Sequence, residues 1–302
     1  MITWGGLASA AVRYVDADAV GAGDGSSWGN AYTSVQTAID AAVDGDEIWV
    51  AAGIYVGATL TMKDGVDMYG GFAGTETARG QRDWFANPTI LDGQNARRVV
   101  DAASARFDGF RVTGGSATEG GGMFSAGRSV IIANCVFHHN GATWGGGIHF
   151  DCSHDVEISN CLFHDHNVSN SGGAIYMYNC SPRIVSCTIV DNTAAVGGAA
   201  VFGATASPVL KNCIVWSNSS SIYAPIYVTG TATISYSCVE DGYVGTGNIA
   251  SDPLFADMSN DDFHLKSQNR RWFSGGWVSD TVTSSCIDAG DQFSFQFIGF
   301  NY

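Results

Sequence analysis

The chain has 302 residues, 39 of them glycine, with 14 Lys+Arg against 29 Asp+Glu and a formal net charge of −15. That acidity argues against nucleic acid, whose phosphates need a basic face, and disfavours strongly anionic polysaccharides, which a negative field repels. No apolar run approaches the ~18 residues of a membrane helix, so no membrane span is expected.

Met1 to Ala10 ends in Ala8-Ser9-Ala10, a small-residue pattern like the end of an export leader, without the basic start of a complete one. Val35, Ala38, Ile39, Ala42 and Val43 then fall at helical spacing, which predicts a short helix over residues 34–43 with Thr33 as N-cap. Asp44-Gly45-Asp46 ends it, and Glu47-Ile48-Trp49-Val50 begins the first strand.

From there the chain is periodic. Cys135, Cys161, Cys187, Cys213 and Cys238 recur at intervals of 26, 26, 26 and 25 residues. Asn or Ser precedes the first four, and glycine pairs follow at 145–146, 172–173 and 197–198. A fixed period of this length marks a solenoid, whose repeats bury their apolar faces only by stacking on neighbours. Within a repeat, Val156 and Ile158 alternate with Glu157, Ser159-Asn160 turns the chain, and Cys161 and Phe163 alternate again. Alternation over so few residues means strands, and three short strands with turns make one rung of a parallel β-helix. Rungs about 4.8 Å apart place equivalent residues in columns. Asn134, Asn160 and Asn212 (Ser at 186) predict one polar ladder, Asn140, Asn192 and Asn218 a second, and the cysteines a column of small buried thiols. Beyond residue 250 the period is lost, and the aromatic-rich end from Phe293 suits packing on the helix or on another molecule. The expectation is one all-β domain over residues 1–302. Residues 1–47 form the N-terminal segment and capping helix, 48–250 the right-handed parallel β-helix rungs, and 251–302 an irregular C-terminal cap.

The segments Gly25-Ser26-Ser27-Trp28, Gly45 to Tyr55, Tyr69-Gly70-Gly71-Phe72, Ile90-Leu91-Asp92-Gly93, Asp252-Pro253-Leu254-Phe255 and Cys286 to Asp291 carry a resemblance. The chain is similar to right-handed parallel β-helix proteins of the pectate-lyase-like superfamily, and above all to large bacterial surface proteins. The resemblance implies an extracellular or cell-surface location better than it implies a reaction. Enzymes of that superfamily carry paired aspartates with Gly-His-Gly, or an arginine or lysine above an acidic calcium site. Here Asp261-Asp262, in the expected cap, is the one Asp-Asp pair, and Gly-His-Gly is missing.

Two constellations could carry chemistry. Six of the seven histidines lie between 138 and 166, and His138 and His164 are one period apart with Asp165 alongside. His138, His164, His166 and Asp165 are therefore candidate metal ligands, and His164 and Asp165 candidate acid–base groups; the simpler reading, a solvent-facing turn that took polar residues, is preferred to either. After the glycine pairs, alternation points His149, Asp151, Tyr176 and Tyr178 outward on neighbouring rungs, with Val201 and Tyr227 further along. His149, Asp151, Tyr176, Tyr178 and Tyr227 could contact a sugar, and His149 with Tyr176 could serve as a catalytic pair, with Arg128, Arg183 or a cation neutralising a uronate carboxylate. The bland alternative is the β-propensity of tyrosine. Cys152 and Cys180 lie outside the thiol column, close to one rung apart, and are a candidate disulfide. The acid-rich surface makes Ca2+ the one cofactor to consider, and Asp16, Asp18 and Asp24 among glycines resemble a calcium loop without matching its spacing. The expected role is structural or adhesive, with extracellular polysaccharide or copies of itself as partners. The alternatives are a polysaccharide lyase or glycosidase and a metal-binding surface protein.

Overall fold

The computed structural model describes residues 10–151, 155–273 and 276–291. It is a right-handed parallel β-solenoid. One nine-stranded sheet runs from Val12–Val15 and Glu47–Ala51 through Arg106–Asp108, Ile131–Ala133, Glu157–Ser159 and Arg183–Val185 to Thr233–Ser235. A seven-stranded sheet contains Met123–Ala126, Ile148–Asp151, Ile175–Tyr178, Val201–Ala204 and Ile226–Val228. A twelve-stranded sheet wraps the remaining sides and includes Phe110–Glu119, Val136–His138, Leu162–His164 and Thr188–Val190. The period is regular from Arg106 onward, over about 5 rungs.

Alternation decides what each strand buries. Ile132, Ile158, Ile184, Leu210 and Ile234 form one inward column, and Phe137, Phe163, Ile189 and Val215 another. The Phe137 and Phe163 rings stack at 5.1 Å. Each such side chain contributes ~1.5–3 kcal/mol by leaving water, and only its neighbours on adjacent rungs make that burial possible. The cysteine column is as expected. Cys135, Cys161, Cys187 and Cys213 are buried free thiols, each donating to the carbonyl two residues earlier at 3.1–3.3 Å.

The polar ladders hold the turns. Asn160 Nδ2 donates to Asn134 Oδ1 (2.7 Å), whose own Nδ2 donates to Asp108 Oδ1 (2.8 Å). Asn134, Asn160, Ser186 and Asn212 all sit at φ of 51–55°, left-handed geometry that asparagine tolerates. The glycine pairs answer the same need: Gly145, Gly172 and Gly198 have φ of 69°, 73° and 60°, and a Cβ there would meet neighbouring atoms at 2.5–2.6 Å.

The ends depart from expectation in detail. The helix is Val35–Ala41, and its N-cap is Ser34, whose hydroxyl accepts from Thr37 N; it is not Thr33. It stops at Ala41 because the buried Asp46 carboxylate takes the Val43 N–H, along with Ala11 N and Arg13. The first strand is Val12–Val15, ahead of the helix, pairing with Glu47–Ala51. At the C-terminal side, two antiparallel hairpins form, Phe255–Asp257 with Asp262–Leu265 and Arg271–Phe273 with Gly276–Val278. The first lies against the solenoid's flank. The aromatic end from Phe293 and the leader-like Ala8-Ser9 lie outside the described residues. No helix among the described residues is long and apolar enough to cross a membrane.

Candidate functional site

The first hairpin turns the flank of the twelve-stranded sheet into a cleft of about 450 Å³. Its floor is made by outward side chains of three successive strands: Arg111, then Val136 and His138, then Leu162 and His164. Trp84 and Phe85 form one wall, and Asp261, Phe263 and His264 the other. The walls meet where the Phe85 and His264 rings approach to 6.0 Å, edge to face.

The histidine patch lies on this floor. Strand register puts His138 beside His164, with rings stacked at 5.2 Å and 7°. His139, at φ 51°, turns its Nδ1 to 2.9 Å from Nδ1 of His138, so one of the two rings donates to the other. Burial, then the neighbouring His164 and His139, push the His138 imidazole down to about 4. It is therefore neutral at pH 7, with a lone pair available. His164 is buried, its Nδ1 2.7 Å from Asp165 Oδ2 and 3.9 Å from Asp261 Oδ1, with the Phe263 ring at 5.0 Å.

His166 is placed elsewhere. It occupies the gap in the second asparagine ladder, between Asn140 and Asn192. Its Nδ1 accepts from Asn140 N (3.1 Å), as Asn192 Oδ1 accepts from His166 N and Asn218 Oδ1 from Asn192 N. Accepting at Nδ1 fixes the proton on Nε2, which is buried with no partner. Burial holds this imidazole well below its ordinary value. It packs into the interior beside Gly147, away from the cleft.

The second constellation assembles on the seven-stranded sheet, with one correction. Phe202, not Val201, continues the outward row; Val201 is fully buried. The row reads Phe124, His149, Tyr176, Phe202, Tyr227, at ring separations of 5.4, 4.6, 5.2 and 5.5 Å. Phe202 stacks between Tyr176 and Tyr227 at 9° and 30°, which covers faces a pyranose would use, while Phe124 and Tyr176 tilt 55° and 33° to His149. His149 is 5% exposed, with Nδ1 unpartnered, and burial lowers its pKa. Asp151 and the 50%-exposed Tyr178 stand one column away, paired in register. Arg98, not Arg128 or Arg183, ends the row, 4.5 Å over the Phe124 ring. Arg128 instead pairs with Asp64, and Arg183 lies on the nine-stranded sheet.

Cys180 is disulfide-bonded. Cys152, its expected partner, lies outside the described residues, and the other six cysteines are free. In the Asp16–Asp24 loop, Asp16 and Asp24 accept from the N–H of Asp18 and Ser26, which is what tight turns require.

Sequence reasoning missed Asp261, Trp84, Phe85, Phe263 and Arg111 as cleft residues. The Asp261-Asp262 pair was visible, but nothing in the period places the hairpin that carries it.

The model of the right handed beta helix region family matches residues 64–241, more than half of the chain, and the protein belongs to that family. Among solved structures, the crystal structure of pectate lyase Pel9A is similar over 93% of this chain and 90% of that one, at 15% identity and a TM-score of 0.41. Among curated proteins, nothing matches.

Proposed function

We propose that this is an extracellular β-helix protein of structural or adhesive type that binds a neutral glycan in the flank cleft. The observation that carries the reading is the cleft itself, with aromatic walls of Trp84, Phe85 and Phe263 facing a floor of Arg111 and histidines. Aromatic side chains with free faces suit the apolar face of a sugar ring, and convergent polar groups bond its hydroxyls. Phe85 is 57% exposed and offers such a surface, which the stacked row on the seven-stranded sheet does not. The overall charge of −15 favours a neutral polymer over a uronate-rich one.

A catalytic version of this reading rests on the His164–Asp165 hydrogen bond of 2.7 Å, the arrangement by which a carboxylate orients an imidazole for proton transfer. Titration calorimetry against a polysaccharide panel, with size-exclusion and ultraviolet absorbance read on the same mixtures, tests both. Binding of one neutral glycan, lost in Phe85→Ala and Phe263→Ala and kept in Tyr178→Ala, supports the cleft. Retention unaffected by both cleft variants, or no retention at all, removes it. Shortened or unsaturated products abolished by His164→Ala would make it an enzyme.

A further inference from the structure

Several acidic side chains of this protein are neutralised by an arginine. Asp46 pairs with Arg13, Asp108 with Arg82 and Arg106, Asp262 and Asp280 with Arg271, Asp64 with Arg128, and Asp101 with Arg98. Asp165 and Asp261 converge on the same imidazole nitrogen, and among the described residues neither has a lysine or arginine partner. One donor atom from each of His164, Asp165 and Asp261 lies within 4.8 Å of the other two. Two carboxylates drawn this close repel unless a cation stands between them. Both sit at left-handed turn positions, Asp165 at φ 56° and Asp261 at φ 58°.

We propose that His164 Nδ1 and the carboxylates of Asp165 and Asp261 bind a borderline first-row divalent cation of the zinc class, tying the C-terminal hairpin to the solenoid. The donor set selects the class. Calcium takes six to eight oxygens (~2.3–2.6 Å) and does not seek imidazole, whereas imidazole with carboxylates suits zinc and its neighbours. A tetrahedral ion at about 2.0–2.1 Å from each donor holds them roughly 3.3 Å apart, and the observed 2.7 and 3.9 Å bracket that value. Three protein donors leave a fourth position toward the cleft, where His138 and His139 stand beside His164. Binding converts the His164–Asp165 hydrogen bond into two metal bonds; a neutral ring gives up its Nδ1 proton and ends protonated at Nε2, and a charged ring releases one proton. The inference stands whether or not a glycan occupies the cleft.

The test uses the full chain, made without a histidine tag and stripped with chelator, then titrated with Zn2+ by calorimetry and by competition with a chromophoric chelator. The expected result is one saturable equivalent, weakened at least about tenfold in both His164→Ala and Asp261→Asn and unchanged in Asp151→Asn. Co2+ should give the intense visible bands of a tetrahedral site, and Zn2+ should slow proteolysis within residues 251–291. Asp261→Asn changes an exposed side chain and keeps the test sound if His164→Ala folds poorly. Unsaturable binding overturns the proposal. So does binding that survives Asp261→Asn but is lost in His138→Ala, which would put the ion on the histidines alone and leave the hairpin untied.

Discussion

His166 offers the sharpest test of the ladder argument, through the variant His166→Asn. The buried imidazole is held neutral in the fold, while the unfolded chain binds a proton at the ordinary value of 6.5. Below that value the unfolded state carries more protons than the folded one, so stability falls as pH falls. His164, His138 and His139 act in the same direction by repelling a charge at 166. The linkage is worth about 1.4 kcal/mol per pH unit, so His166 alone should cost the wild type about 1.4 kcal/mol between about pH 7.5 and about pH 5.5. An asparagine cannot titrate, and Asn140 and Asn192 on adjacent rungs show that its amide fits this column. Urea unfolding of both proteins at the two pH values reads the difference directly. The wild type should lose about 1.4 kcal/mol more than the variant. Equal losses would mean that His166 takes up no extra proton on unfolding, and the reasoning from its buried, accepting Nδ1 would fail.

Three further outcomes follow from the same contacts. Asn192→Ala removes the acceptor of His166 N and the amide whose two hydrogens serve Phe163 O, Val190 O and Asn218 Oδ1; at ~1 kcal/mol for each of the hydrogen bonds lost it should lose about 3 kcal/mol in denaturant titration, and a loss below about 1 kcal/mol would contradict the ladder's role. Arg82→Met removes the 2.6 Å partner of the buried Asp108 carboxylate and leaves it Arg106 and Asn134; a cost of about 1–3 kcal/mol is expected, and a stability like wild type's would refute it. The Cys286 thiol is pulled down to about 7 by a hydrogen bond from Cys238, while burial pushes Cys161 and Cys213 up. Alkylation of the folded protein should therefore begin at Cys286, with a midpoint near that value, and reaction spread evenly over the free thiols would count against the pairing.

The solenoid was legible because its driving pattern is local and repeated. Asn160-Cys161 followed by alternating Leu162 and Phe163 says strand, turn and inward thiol in four residues, and the 26-residue period stacks them. The aromatic row was legible only in part. Along that corner the register steps are 27, 26 and 25 residues, from His149 to Tyr176 to Phe202 to Tyr227. A slip of one residue in a strand turns a side chain to the opposite face, which is why Phe202 stands outward where the period alone points to Val201. His166 was counted with its histidine neighbours because an imidazole nitrogen can replace an amide oxygen in a ladder, and no periodic rule distinguishes the two uses. The cleft was illegible for a different reason. Its second wall comes from a hairpin outside the repeat, so the meeting of His164 with Asp261 is a long-range contact with no sequence signature.

The register of the regular rungs has a consequence for how this chain can change length. Ser181-Pro182 and Ser207-Pro208 occupy equivalent corners, one rung apart, and Arg183, Ile184 and Val185 pair with Val209, Leu210 and Lys211. Excising residues 183–208 would join Pro182 to Val209 with every column still aligned, whereas losing one residue inside a strand would turn the rest of that strand inside out. Viable insertions and deletions that touch the strands of the regular segment are therefore quantised in whole rungs. Gene duplications and losses can lengthen or shorten the molecule like beads on a string, while single-codon indels are confined to its corners.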